Sequence, residues 1–294
     1  MLVDGVSAPE REQAEHLPQR VRFIGHATLL IDLDETRILT DPLLRQRVSV
    51  LYWRHPIPRS ELTHPVDAVV ISHMHQDHLD LPSLRQLGRR VPLLVPRRAG
   101  QFLLRRGFTD VTEMVPGDRV TIGKTRIRAV PARHTGFRPP FGPWGGCIGF
   151  IVEGQESGAS VYFAGDTDLY ANMDSLGPVD VALLPVAGWG PTLGPGHMDA
   201  RRAALALQLI RPKVAIPMHW GTFAPFGMHL REWSYLTRPP REFQAHARAL
   251  MPEVQVPILE PGEAFELDPM LAQRHLPGPH ADAADNHRLP ESGS

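Results

Sequence analysis

The segment that decides the fold is residues 67–78, which have the sequence DAVVISHMHQDH. Its first five residues are mostly apolar, as is typical of a buried β-strand, and three histidines and an aspartate follow where that strand ends. His73 and His75 alternate along an extended chain and can point the same way. Asp77 and His78 are neighbours and cannot easily point at one atom. This arrangement favours two adjacent metal ions, and imidazole with carboxylate suits Zn, Mn or Fe.

Three later apolar strands are each followed by another candidate ligand, namely His134, Asp166 and His219. Functional side chains are often placed by loops at the ends of rigid strands. If these strand ends meet at one edge of a sheet, the site gathers five histidines and two aspartates. That set is large enough for two metal ions that keep open positions for water and a substrate.

The rest of the chain predicts a mixed α/β fold. Strands come first, then a helix, then further strands and helices, without strict alternation, which favours two mixed sheets packed together with helices outside. Asp80 and Asp199 are placed to cap two of the helices. Residues 42–65 are expected to be irregular, and a last strand is expected at 254–259.

Length and composition predict one large folded domain between unstructured N- and C-terminal segments. The chain has 294 residues and a single cysteine, Cys147, so an internal disulfide is impossible. Residues 1–19 are expected to form a flexible arm and residues 20–268 the folded domain. Residues 269–294 are rich in Pro, Ala, Asp and His without periodicity, so we expect a disordered tail.

The charge balance disfavours several classes of partner. The net charge is −1 and the pI is about 7.0, which gives no electrostatic reason to expect nucleic acid as a partner. No apolar stretch approaches the roughly 18 residues of a membrane span, and no apolar leader segment is visible. We therefore expect a cytoplasmic protein without an integral membrane segment. The sequence leaves the oligomeric state open.

The ordered ligand pattern resembles the metallo-β-lactamase superfamily over about residues 21–265. The resemblance implies a four-layer αββα sandwich of the α/β (α+β) class. It also implies two divalent metal ions as cofactors, with Zn expected first and Mn or Fe also compatible. In that pattern one ion is held by His73, His75 and His134, the other by Asp77, His78 and His219, and Asp166 bridges the two.

Shorter strings narrow the resemblance to one branch. The chain has LDLP at 79–82, where many hydrolases of the superfamily have a Gly-Gly pair, and it has GPWG at 142–145 and HWGTF at 219–223. This set is similar to the branch that contains ascorbate phosphate lactonase and the phospholipase D that hydrolyses N-acylphosphatidylethanolamine. The last two strings are closer to the phospholipase.

The resemblance implies roles for the residues around the metals. We expect a metal-bridging hydroxide to attack the substrate, with Asp77 holding its proton and His197 protonating the leaving oxygen. His26 and Asp41 are expected to orient ligand imidazoles. Apart from the resemblance, Arg138 and Trp189 are further candidates for the wall of the substrate pocket.

The most favoured substrate is a phosphodiester, either a small molecule or a lipid-derived compound, cleaved as by a phospholipase D. Hydrolysis of a lactone or other ester on a small polar substrate stays open, as does metal binding without catalysis. A nuclease is disfavoured by the charge balance and by the short stretch between Asp166 and His219. A flavin-dependent redox protein is disfavoured because no room is left for a flavin domain.

Overall fold

Two β-sheets lie against each other at the centre of the computed structural model, which describes residues 17–62, 64–140, 142–188, 192–228 and 233–267. Numbered along the chain, the strands are β1 (Arg20–Gly25), β2 (Thr28–Leu33), β3 (Thr36–Thr40), β4 (Arg47–Val48), β5 (Leu51–Trp53), β6 (Ala68–Val70), β7 (Leu93–Pro96), β8 (Val111–Met114), β9 (Arg119–Ile122), β10 (Thr125–Pro131), β11 (Ile148–Gly154), β12 (Ser160–Phe163), β13 (Val181–Pro185), β14 (Val214–Met218), β15 (Phe223–Pro225) and β16 (Ala264–Glu266). The helices are α1 (Leu81–Leu87), α2 (Ala99–Leu104), α3 (Ala200–Ile210), α4 (Ser234–Thr237) and α5 (Pro239–Leu250). Two 3₁₀ turns lie at Arg59–Leu62 and Ala171–Leu176.

Both large sheets mix parallel and antiparallel pairs. The first has seven strands in the order β16-β1-β2-β3-β6-β7-β8, and the second has six in the order β14-β13-β12-β11-β10-β9. The run from β3 to β8 is parallel in the first sheet, as is the run from β12 to β14 in the second. Parallel neighbours end at the same edge of a sheet. The loops after β12 and β14 therefore leave the same edge of the second sheet, and the loop after β6 leaves the edge of the first sheet that it shares with its parallel neighbours.

The alternation of side chains along each strand explains how the first sheet is buried on both faces. In β2, Leu29 and Ile31 join the core between the sheets, whereas Leu30 packs on the other side with Leu84 of α1 and Leu103 of α2. On the far side of the molecule, α3 and α5 cover β13 and β14 with their apolar faces. The predicted αββα sandwich is therefore confirmed.

The prediction that residues 42–65 are irregular is wrong, because part of this stretch forms strands. Strands β4 and β5 pair with each other and with β15 in a third, three-stranded sheet. Trp53 pairs with Phe223 across this sheet, and their ring centroids lie 5.5 Å apart. These strands have two or three residues each, which is too short to show an alternating pattern, and β15 lies far along the chain.

The strand predicted at 254–259 is wrong. Within that stretch, all of which is described, only Gln255 makes a β-bridge, to Val214. Pro257 lacks the N–H that a regular ladder needs. The last described strand is instead β16, which pairs antiparallel with β1.

The predicted arm and tail lie almost wholly outside the described residues. Of the arm, the structure describes 17–19, where the carbonyl of Gln19 accepts a hydrogen bond from the Leu267 N–H at 2.7 Å. The predicted tail, 269–294, is not among the described residues, so the domain boundaries stay a prediction. No helix in the described ranges combines the length and apolarity needed to cross a bilayer.

Candidate metal centre

The structure brings all seven predicted ligands together, and they form two groups. In the first group, Nδ1 of His75 lies 2.9 Å from Nε2 of His73 and 3.2 Å from Nε2 of His134. His73 and His75 follow β6, and His134 follows β10. Nδ1 of His134 donates to the carbonyl of Gly196 at 2.9 Å, so its proton points away from the group.

The proton on His73 is placed in the same way. Its Nδ1 lies 2.9 Å from the Ser72 hydroxyl oxygen, and that hydroxyl donates its own proton to Asp41 at 2.5 Å. The Ser72 oxygen must therefore accept from Nδ1–H of His73, which leaves Nε2 with a free lone pair. Lone pairs on at least two imidazoles thus converge on one point, as a metal site requires.

The second group surrounds the carboxylate of Asp166. Its Oδ2 lies 3.2 Å from Nε2 of His78, and its Oδ1 lies 3.3 Å from Nε2 of His219. One carboxylate oxygen of Asp77 lies 3.7 Å from the same nitrogen of His78 and 4.0 Å from that of His219. The rings of His73 and His78 are 4.1 Å apart between centroids, so the two groups adjoin.

Both imidazoles of the second group also direct their Nδ1 protons outward. His219 donates from Nδ1 to the carbonyl of Ala187 at 3.0 Å, and His78 donates to Oδ2 of Asp41 at 2.7 Å. A hydrogen bond from the outer nitrogen is the usual means of fixing the tautomer and orientation of a metal-binding histidine. The inward-facing nitrogen of each ring is then the available ligand atom.

Several inward-facing atoms are buried without a hydrogen-bond partner. In the part of the chain that the structure describes, Nε2 of His78, Oδ1 of Asp166 and Nε2 of His219 have none. Leaving such an atom unsatisfied costs about 1–3 kcal/mol. Because nitrogen and carboxylate oxygen are ligands for Zn, Mn and Fe, this donor set fits a divalent metal. The cluster is therefore capable of binding metal.

The imidazoles of the first group are kept neutral by burial. Burial holds the pKa of His73 well below its ordinary value and lowers the pKa of His134 to about 4. Burial also lowers the pKa of His75. All three rings are thus in the neutral form that binds metal at neutral pH.

The second group is a balance of opposite charges. Burial favours a neutral Asp166, but His219 and His78 outweigh it and hold the pKa of that carboxyl well below its usual range. Burial likewise opposes ionisation of Asp77, but His78 and the hydrogen bond from His26 hold its pKa well below the usual value. Conversely, Asp166 and Asp77 outweigh burial and raise the pKa of His78. Positive charge is therefore favoured at the centre of this group.

The structure places His26 and Asp41 against the ligands they were expected to orient. Asp41 is fully buried, and besides His78 its carboxylate accepts from the N–H of Ser72 at 2.7 Å. Nε2 of His26 lies 3.0 Å from Oδ2 of Asp77. His26, Asp41 and His219 have positive φ angles of 58°, 32° and 61°. Such strained backbone in residues other than glycine is often found at functional sites.

His197 lies at the mouth of the site. Its Nε2 is 3.4 Å from Oδ2 of Asp166, and its Nδ1 lies 3.1 Å from the carbonyl of Gly194. Burial favours the neutral ring, but the hydrogen bond and charge of Asp166 outweigh it and raise the pKa of His197. Its side chain is 21% exposed. The ring of His197 is thus a proton donor that is accessible from the cleft. His197 also forms a group with His134 and Asp166 that is close enough to hold a metal.

A cleft of about 730 Å³ opens above these residues. Its floor includes His75, Asp77, Asp166, His197 and His219. Its walls come from residues 48–51, 139–140 and 192–194, and they are mostly apolar. Among the described residues that line the cleft, none is lysine or arginine.

Sequence reasoning misplaced one residue and missed several others. Arg138 is not among the lining residues of the cleft, because its guanidinium donates to the backbone carbonyls of Met74 and Leu79. Trp189, the other predicted wall residue, lies outside the described residues. Ser72 was missed, although its place directly before the run was a signal. The carbonyls of Ala187 and Gly196 were missed because every residue type carries a carbonyl, so no sequence signal exists.

Comparison with known proteins gives concordant matches. The profile of the beta-lactamase superfamily domain matches residues 36–220. A UPF0173 metal-dependent hydrolase of Methanopyrus kandleri is 32% identical over 255 residues, which are 84% of this chain and 99% of that protein. One from Opitutus terrae is 32% identical over 258 residues, 84% of this chain and 100% of that protein. The solved structure of Igni18, a metallo hydrolase from Ignicoccus hospitalis, is similar with a TM-score of 0.64 and 27% identity, covering 84% of this chain and 98% of that one.

Proposed function

The chain is a metal-dependent hydrolase that belongs to the metallo-β-lactamase superfamily and, within it, to the UPF0173 family, and we propose that it works through two divalent metal ions. One observation carries this proposal. Two ligand groups adjoin, and three of their inward-facing atoms are buried without a hydrogen-bond partner in the described chain. A single ion could not satisfy both groups, because each already supplies three ligand residues besides Asp166.

We assign the ligands as the two groups divide them. His73, His75 and His134 would hold one ion, and Asp77, His78 and His219 would hold the other. Asp166 would be a ligand available to both. Zn is the first expectation, and Mn or Fe suits the same donors. When bound, two such ions would activate a water and polarise the group that is cleaved.

Side chains of the protein would then accept and donate the protons of the reaction. Oδ2 of Asp77 already accepts from His26, which fixes the carboxylate so that its other oxygen can accept a proton from the attacking water. His197 is placed to donate a proton to the leaving oxygen. Asp41 keeps the Nδ1 proton of His78 directed away from the reaction.

For the substrate we propose first a phosphodiester, small or lipid-derived, cleaved as by a phospholipase D. The support is the pair of strings at 142–145 and 219–223. Residues 219–223 lie at the site itself, since they begin with His219 and continue into β15. A negatively charged diester would rely on the metals and His197 for charge balance.

A second candidate is a neutral ester or lactone with an apolar substituent. The observation that favours it is the cleft lining, which has apolar walls and no lysine or arginine among its described residues. Sites that recognise phosphate usually present such cations. On this reading the reacting group lies on the polar floor and the substituent lies against the walls.

The test is hydrolysis by purified protein loaded with Zn or Mn. A chromogenic phosphodiester is compared with a chromogenic lactone and an acyl ester. Asp77→Ala and His78→Ala should each lower turnover by at least about 100-fold, because each substitution removes a metal ligand. Asp77→Ala also removes the group that accepts the proton of the attacking water. His246→Ala, which changes an exposed histidine on α5, serves as the control.

The outcomes separate the candidates. Preferential cleavage of the diester supports the phospholipase-like reaction, and preferential cleavage of the lactone or ester supports the second candidate. Full activity in both Asp77→Ala and His78→Ala, with the variants still folded, would contradict the two-metal mechanism.

A further inference from the structure

Arg138 lies beneath the turn that carries three of the ligands. Its Nη1 donates one hydrogen bond to the carbonyl of Met74 at 2.8 Å and another to the carbonyl of Leu79 at 2.9 Å. These two carbonyls bracket His75, Asp77 and His78. One terminal nitrogen with two hydrogens therefore joins both ends of the turn.

The turn is otherwise closed by few backbone bonds. The carbonyl of His75 accepts from the N–H of His78 at 3.2 Å and from that of Leu79 at 2.8 Å. At its outer side, the Gln76 side chain donates to the carbonyl of Pro139 at 2.8 Å. The two bonds from Arg138 thus join the carbonyls at both ends of the turn through one nitrogen.

The loop that carries Arg138 is itself held in place. The N–H of Arg138 donates to the carbonyl of Pro143 at 3.1 Å, and its carbonyl accepts from the N–H of Gly142 at 2.8 Å. The guanidinium carbon also lies 5.0 Å from the ring centroid of Phe102 in α2. The guanidinium is therefore anchored before it reaches the turn.

The chemistry of this contact favours a positioning role. Among the described carboxylates, none lies within ion-pair distance of Arg138. Burial, with Arg106 nearby, lowers the pKa of Arg138 to about 10, so it is still charged at neutral pH. Hydrogen bonds from a charged donor are roughly twice as strong as neutral ones. The half-buried charge is thus directed at the two carbonyls.

We propose that Arg138 is a positioning residue of the metal centre, which holds the turn 74–79 in the geometry that lets His75, Asp77 and His78 bind metal. This inference rests on the proposed two-metal function. Without Arg138 the two carbonyls lose their shared donor, and the ligands between them shift together. Loss of a group that hydrogen-bonds a metal ligand typically lowers metal affinity about 10–100-fold. Arg138 bonds the backbone on either side of three ligands and shifts them together, so we expect its loss to fall in the same range.

Arg106 provides a matched control. Its guanidinium carbon lies 3.5 Å from the centroid of the same Phe102 ring, and its Nη1 donates to the Phe102 carbonyl at 2.8 Å. It makes no described hydrogen bond to the turn 74–79. Arg106→Met therefore removes an arginine from the same ring without touching the ligands.

The experiment titrates metal-free protein with Zn in competition with a chromophoric chelator, and records the absorption spectrum after loading with Co. Arg138→Met should weaken Zn binding about 10–100-fold and alter the Co spectrum. Arg138→Lys keeps a charged nitrogen with enough hydrogens for both carbonyls, but its side chain is shorter and its donors are not held in fixed directions, so its affinity should be intermediate. Arg106→Met should match the wild type in both measurements.

Wild-type affinity and an unchanged Co spectrum in Arg138→Met would overturn the inference, as would an equal loss in Arg106→Met. If Arg138→Met does not fold, the Zn affinity of Arg138→Lys becomes the test. Wild-type Zn affinity in Arg138→Lys would then overturn the inference. A wild-type protein that binds no divalent metal in the same assay would instead refute the proposed function.

Discussion

Asp41 is a buried carboxylate that is connected by hydrogen bonds to both ligand groups. It accepts directly from His78, and through the Ser72 hydroxyl it also sets the proton on His73. One carboxylate thus reaches a ligand in each proposed metal site. Its φ angle is positive, 32°, and its N–H donates to the carbonyl of Val70 at 3.0 Å.

We predict that Asp41→Asn weakens metal binding about 10–100-fold, most strongly at the site of His78. An amide NH₂ facing Nδ1–H of His78 would oppose one donor with another. The ring would then move its proton to Nε2, which is the proposed ligand atom. Chelator competition with Zn measures the loss. Asp67→Asn is the control, because Asp67 is also buried but accepts from the N–H of Arg37, at the other end of β6. Unchanged affinity in Asp41→Asn would contradict this account.

At the scale of single residues, the sequence predicts which side chains form the site better than it predicts their hydrogen-bond partners. The histidine run and its later companions could be found because ligand side chains are rare and their order is specific. The outward hydrogen bonds to Ala187 and Gly196 could not, since they use backbone carbonyls. The role of Arg138 is of the same kind, because its partners are the carbonyls of Met74 and Leu79.

Elements that rest on local signals are predicted well. Helix α1 begins after Asp80, whose carboxylate accepts from the N–H of Ser83, as predicted. Helix α3 begins after Asp199, which accepts from the N–H of Arg202 at 2.7 Å. Capping needs only neighbouring residues, and so the sequence reveals it. The third sheet joins β5 to the distant β15, which no local pattern reveals.

The turn between β4 and β5 belongs to the cleft, and it gives a prediction about substrates. Val50 is 62% exposed and lines the wall. If the substrate carries an apolar substituent, Val50→Asp should raise KM about tenfold for a long-chain ester and leave an acetyl ester unchanged. Losing the burial of one such side chain is worth about 1.5 kcal/mol. Steady-state kinetics with the long-chain ester and the acetyl ester measures the two changes in KM.

Val115→Asp is the control for this prediction. Val115 is 41% exposed and follows β8, and it is not among the residues that line the cleft. An equal rise in KM for both esters in Val50→Asp would contradict an apolar subsite at this wall.

At the scale of the whole molecule, the two sheets turn scattered residues into one site. His73, His134, Asp166 and His219 each follow a different strand, and the packing of the sheets brings those strand ends together. The sequence predicts that the ligands gather at strand ends, because each follows an apolar strand, but it places them at one edge of one sheet. In the structure β6 belongs to the first sheet and the other three strands belong to the second, so the ligands come from both sheets. The sequence could not predict the cleft walls, which come from three separate segments.

The central claim is that this cluster holds two divalent ions, and the most direct test is the metal content of the folded chain. Protein is loaded with Zn, freed of excess metal and analysed for Zn per chain. We predict about two ions for the wild type and for the exposed-site control His246→Ala, and about one for His134→Ala, which loses a ligand of the first group only. One ion or none in the wild type, or two in His134→Ala, would contradict the account.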